Sequence, residues 1–217
     1  MSTKLSDKLV AIGFRLSSSR KRSRSILQVD IENTLLEAIM ALPDDLRLAS
    51  LLFTWIKIHG NYVIVEKLRK RAHALGIETD PWYRALAAFA VENKYHKWKP
   101  LLAHRAETVY LLPPELSLFP IQRKGAVEWL EPYGILLPEG TLRIREDDIL
   151  TPKELIQRNA QYRNRYLYGP SWRADIITAI EQGCTSPMEI SRLIGCSYEP
   201  AYRVFNEYQM ATGEKTA

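Results

Sequence analysis

Near the C-terminal end, Thr185 to Gln209 reads TSPMEISRLIGCSYEPAYRVFNEYQ. It carries Arg203 and Asn206, three residues apart on a stretch with helical spacing, so the two side chains share a face. A guanidinium pairs bidentately with the edge of guanine, and a carboxamide with the edge of adenine. Tyr198 and Tyr202, four apart, suit phosphates or thymine methyls, and Ser197 and Glu199 lie beside them. Ser186 stands at a helix start, where free N–H groups favour an anion. Upstream, Arg158, Arg163 and Arg165 alternate with Tyr162, Tyr166 and Tyr168 in a segment almost free of acid after Glu154. That mixture suits phosphate contacts, or stacking on single-stranded RNA. A third basic group, Arg20, Lys21, Arg22 and Arg24, sits in SSSRKRSRS without interleaved apolar residues. It reads equally as a solvated tail and as an arm along phosphates or a minor groove.

Motifs for other chemistry are missing. The chain has no Gly-rich phosphate loop, no GxSxG elbow and no HExxH. His59, His73, His96 and His104 are scattered. His59 follows a helix C-terminus, where a cation is favoured, so a structural role is expected. Glu146-Asp147-Asp148 has no partner ligands and reads as a surface turn. No catalytic residue, metal or cofactor is expected, and the chain is read as a non-enzyme. Cys184 and Cys196 are the two cysteines. They are too far apart for a CxxC site and too few for a disulfide framework, which points to a reducing compartment. No apolar run reaches membrane-span length. The patch at Leu9 to Phe14 is shorter than the roughly 7–15 residues of a signal-peptide core. The expected setting is the cytoplasm of a bacterium. With 217 residues and 46% hydrophobic residues, the chain can build real cores; 30 Lys+Arg against 25 Asp+Glu is only a modest basic excess.

The elements that position the candidate residues follow from caps and periodicity. Ser186-Pro187 with Glu189 is a capping signature. Ile190, Leu193 and Ile194 face inward, and Gly195 ends that helix in a left-handed conformation. Ser197 caps the next helix, whose Ala201, Val204 and Phe205 or Tyr208 pack back. Ser191 lies four before the glycine, Ala201 six after it and Val204 nine after it. Small side chains at these positions let two helices cross closely. The pattern resembles the helix-turn-helix of bacterial DNA-binding proteins, with Trp172 to Gln182 as the third helix. That resemblance implies a second helix in the major groove, with Ser197, Tyr198, Glu199, Tyr202, Arg203 and Asn206 facing the bases.

Upstream, Asp30 caps a helix through Met40, and LPDDLRLASLLFTWIKIHG predicts a central buried helix ending at Gly60. A third helix runs from about Asn61 to Leu75, with Lys67, Arg69, Lys70 and Arg71 on its other face. A fourth runs from Asp80 to Asn93. Lys97 to Ala103 and Thr108 to Leu112 then read as two strands around HRAE. Helix, helix, helix and ribbon is the order of a winged helix. Asp80 to Asn93, carrying Arg84, becomes its recognition helix, and Lys97 and Lys99 decorate its wing. GILLPEGTLRIR predicts a second hairpin. A single helix is expected from Thr151 to Gly169.

The expected fold is therefore mainly α, in four parts. Residues 1–29 form a basic flexible arm, 30–112 a winged-helix-like domain, 113–150 a small β-rich connector and 151–217 a trihelical helix-turn-helix domain. The function expected is sequence-specific binding of double-stranded DNA in transcriptional regulation, as a monomer with tandem modules or as a homodimer. IGCSYEPAYRVFNEY and LPDDLRLASLLFTWIKIHG also look similar to helix-turn-helix partners of nucleotidyltransferase toxins. That resemblance implies an antitoxin and autorepressor with a toxin as partner. The alternatives are a protein-interaction module and an RNA-binding protein.

Overall fold

The computed structural model describes residues 3–16, 29–102 and 107–213. The chain is mainly helical and divides into two compact units, Met1–Pro152 and Lys153–Ala217.

In the first unit, α1 (Thr3–Ala11) is followed by α2 (Ile31–Met40), α3 (Leu46–His59), α4 (Val65–Leu75) and α5 (Pro81–Glu92). Aspartates start three of these helices. Asp30, Asp45 and Asp80 each accept a backbone N–H from the first turn of α2, α3 and α5, at Asn33, Leu48 and Trp82 respectively. The N-terminal segment is not a solvated arm over its described part. Leu9, Ile12 and Phe14 are fully buried or nearly so. The Trp55 indole N–H donates to the Ile12 carbonyl at 2.7 Å, and Phe14 stacks on Trp55. Phe14 also bridges Ile149, with Arg15 N–H on Asp148 O and Leu150 N–H on Gly13 O. The short apolar run Leu9–Phe14 thus belongs to the core, and the basic residues 17–28 lie outside the described residues.

The expected wing is not formed. Residues His96–Leu102 wind into 3-10 turns. Lys97, Trp98 and Lys99 mimic strand alternation, but Trp98 and Leu101 are the buried pair, at a spacing of three. That spacing is the 3-10 period. Three side chains from Tyr95 to Trp98 pin it to the end of α3. Tyr95 Oη donates to Lys57 O, Trp98 Nε1 to Gly60 O, and Lys97 Nζ to Asn61 O and Val63 O. Gly60 is required here, since a Cβ would stand 2.7 Å from the Tyr95 ring. Strand β1 (Val109–Tyr110) pairs in parallel with β2 (Ile135–Leu136) instead.

The second hairpin is also replaced. After β2 the chain turns at Pro138–Thr141, and its continuation lies along α3. Arg143 N–H donates to Ser50 Oγ and Arg145 N–H to Thr54 Oγ1, both at 3.2 Å. Two hydroxyls one helical turn apart substitute for a partner strand. The proline-rich middle contains a helix, α6 (Pro114–Lys124), that the density of prolines concealed.

Helix α5 is buried from Trp82 through Ala90 and cannot serve as a reading head. Ala85, Ala87, Ala88 and Ala90 let neighbours approach on every side. Phe89 meets Phe53 edge-on at 5.1 Å and Trp129 at 5.3 Å.

The second unit holds α7 (Pro152–Arg158), α8 (Ala160–Tyr168), α9 (Trp172–Glu181), α10 (Pro187–Ile194) and α11 (Tyr198–Thr212). The single helix expected over 151–169 breaks at Asn159. Its side chain accepts the Tyr162 N–H at 2.8 Å and starts a new helix.

Candidate nucleic-acid interface

Helices α9, α10 and α11 share one small core. Ile176, Ile177, Ala179, Cys184, Ile190, Ile194, Ala201, Val204 and Phe205 are buried in it, with Trp172, Ile180, Cys196 and Tyr208 packed against its edge. Both cysteines are free thiols. Gly195 makes the corner between α10 and α11 at φ +76° and ψ +25°, with its N–H on Ser191 O at 3.0 Å. A side chain in that left-handed region costs roughly 1–2 kcal/mol, which glycine avoids. Ala201 is fully buried where the two helices meet.

The start of α10 is a reciprocal cap. Ser186 Oγ accepts the Glu189 N–H at 3.2 Å, and Glu189 Oε2 accepts the Thr185 N–H at 3.0 Å. Ser186 is therefore engaged with its own helix through its lone pairs, and its hydroxyl proton remains to donate. Ser197 starts α11 by backbone geometry, with no side-chain cap bond.

The outward face of α11 carries most of the residues singled out from the sequence. Ser197, Tyr198, Glu199, Tyr202 and Arg203 are exposed, and Asn206 is half-buried. Tyr198 and Tyr202 are about half exposed and stack with centroids 5.9 Å apart. Stacking at i and i+4 holds both hydroxyls on one side of the helix. Arg203 has no ion-pair partner among the described residues. Glu207, the second acid of this helix, is paired with Arg173 of α9.

Helix α8 divides its arginines. Arg165 is fully buried and clamps Asp175 of α9 bidentately, Nε to Oδ1 at 2.8 Å and Nη2 to Oδ2 at 2.9 Å. Gln161 adds a third donor to the same carboxylate at 3.1 Å. Arg165 is thus unavailable to phosphate. A fork-shaped cation matches a carboxylate so well that burial becomes tolerable only for the pair. Arg163 is exposed and paired with Glu181 at 3.1 Å. Arg158 is exposed at the end of α7 with no partner among the described residues.

Three candidate residues of the first unit lie among the described residues. Arg84 is buried, donates Nη2 to Tyr133 O at 2.7 Å, and holds the 3-10 turn after α6 against α5. It cannot face DNA. Lys97 is spent on the carbonyls after α3, whereas Lys99 is exposed. Arg20, Lys21, Arg22 and Arg24 lie outside the described residues.

Lys67, read as part of an outer basic face, is fully buried. It pairs with Asp30 at 2.5 Å and with the buried Glu32 at 3.4 Å. Glu32 also accepts the Ile64 N–H at 2.9 Å, so α2 and α4 share a charged seam. Its only sequence signal was an acid at a core-facing position of α2. His59 is buried with Nε2 against Leu150 O at 2.9 Å. Burial lowers its pKa to about 4, although the bond to Leu150 O acts in the opposite direction.

No protein-family model, curated protein or solved structure matches the chain.

Proposed function

We propose that α10 and α11 form a helix-turn-helix that binds double-stranded DNA with sequence preference. The observation that carries this reading is the glycine corner at Gly195 with the exposed polar face of α11 beside it. Arg203 is the cation on that face left without a counter-charge among the described residues. It suits a guanine edge, Asn206 an adenine, and Tyr198 and Tyr202 phosphates or methyls. Ser186 and the start of α10 suit a phosphate. Arg158 and, after release from Glu181, Arg163 add backbone contacts. The working role is transcriptional regulation, including autorepression of a toxin-linked locus.

Over residues 153–213, seven cations face six carboxylates. Affinity from counterion release is therefore small, and base contacts must carry more of the binding. The same near-neutrality, with Met188, Leu193, Tyr198 and Tyr202 each about half exposed, favours a protein partner as the second reading. Exposed aromatic and methionine side chains are typical interface anchors.

Binding to duplex DNA from upstream of the gene, against scrambled duplex and single strand across a salt series, decides between them. Arg203→Ala is expected to lose about 1–3 kcal/mol of the preference for the upstream duplex. Equal binding to all three, or an unchanged preference in the variant, refutes the reading head.

A further inference from the structure

A cavity of about 330 Å³ opens in the first unit, lined by Arg69, Lys70 and His73 of α4, Glu78, Tyr83 of α5, and Pro100 and Leu101. Tyr83 is 2% exposed, and its hydroxyl has no hydrogen-bond partner among the described residues. A buried hydroxyl left unpaired is costly, so such a group points to a missing acceptor. Burial holds the phenol well above its ordinary range, with Arg69 opposing that shift and Glu78 adding to it. The phenol therefore stays protonated, and Tyr83 lines the cavity together with Arg69 and Glu78. Arg69 is exposed and has no paired carboxylate among the described residues. His73 is bound through Nδ1 to Glu78 at 2.8 Å, and Lys70 pairs with Glu66 at 3.1 Å.

We infer that this cavity binds a small phosphate monoester. A guanidinium, an ammonium, an imidazole and a phenol supply more donors than the two oxygens of a carboxylate can use, whereas a phosphate accepts on three. Arg69 is the principal charge partner and Tyr83 the neutral donor. Pro100 and Leu101 offer an apolar wall to the carbon end of the ester. The volume lies at the small end of ligand pockets, which run from roughly 300 to 1,000 Å³, and suits a small ligand. Among the described lining residues, Glu78 is the group that opposes an anion, and it tunes affinity downward.

Calorimetric titration of the full chain tests the assignment, with glycerol 3-phosphate, inorganic phosphate, glycerol and a short DNA duplex as probes. Glycerol 3-phosphate is expected to bind saturably at one site and more tightly than inorganic phosphate, and glycerol not at all. Tyr83→Phe is expected to weaken it about 5–10-fold, Arg69→Ala by at least tenfold, and Glu78→Gln to strengthen it. The unliganded Tyr83→Phe protein is expected to melt no lower than wild type, because the substitution removes an unpaired buried hydroxyl. Absence of saturable binding, equal affinity in all three variants, binding of glycerol as well as its phosphate, or binding of the duplex alone each overturns it.

Discussion

Lowering the pH from 7 to 4 is expected to weaken the first unit through His59. The unprotonated imidazole is fully buried between Trp55, with ring centroids 5.1 Å apart, and the Leu150 carbonyl. Its pKa falls from 6.5 to about 4. Between those values the unfolded chain binds a proton that the folded chain refuses. Stability therefore rises with pH across that window, is fully present above pH 6.5, and is lost as pH falls toward 4. At 1.36 kcal/mol per pH unit the loss amounts to about 3 kcal/mol. Urea unfolding followed by tryptophan fluorescence measures it, since Trp55, Trp82, Trp98 and Trp129 all lie in this unit. The reference is His59→Gln, which keeps an N–H donor for Leu150 O and does not titrate. Subtracting the two pH profiles cancels the carboxylates common to both. A difference that stays flat from pH 7 to pH 4 refutes the assignment of a neutral, buried His59.

Asp175→Ala is expected to destabilise the second unit by about 3–5 kcal/mol, because it removes the bidentate carboxylate partner of the buried Arg165 guanidinium. The paired replacement Arg165→Met with Asp175→Leu is expected to cost far less in the same urea titration, and equal costs would contradict the clamp. Gly195→Ala is expected to cost about 1–2 kcal/mol, with Gly195→Asn milder, as read from thermal melts followed by circular dichroism.

The caps and the apolar stripes were legible in the sequence because they are local. Asp30, Asp80 and Ser186 announce helix starts through chemistry confined to three or four residues. Most of the core of α9 to α11 was legible for the same reason, since Ile190, Ile194, Ala201 and Val204 repeat at helical spacing around one glycine, whereas Leu193, expected to face inward, is 45% exposed. Strand pairing was not legible. Val109 finds its partner at Ile135, and Arg143 and Arg145 find theirs in the hydroxyls of α3. Nothing near either segment in the chain encodes those partners. Buried charge was misread for a related reason. Lys67, Arg84 and Arg165 have the same composition signature as exposed cations, and only tertiary partners such as Glu32, the Tyr133 carbonyl and Asp175 draw them inside. Burial of Arg84 and Arg165 therefore alters the candidate site more than the differences in secondary structure do.

The bridge between Phe14 and Ile149 has a consequence for the order of synthesis. Arg15 and Ile149 touch across 134 residues of chain. At about 5–20 residues per second, a ribosome needs roughly 7 to 27 seconds to deliver the second partner after the first. Through that interval Ile12, Phe14 and the Trp55 indole wait without the strap that closes over them. The first unit thus ends its folding at its beginning, and contacts of such span slow the search for the native state. A nascent chain stalled before residue 149 presents this apolar seam to chaperones, whereas one stalled soon after residue 152 has emerged can already close it.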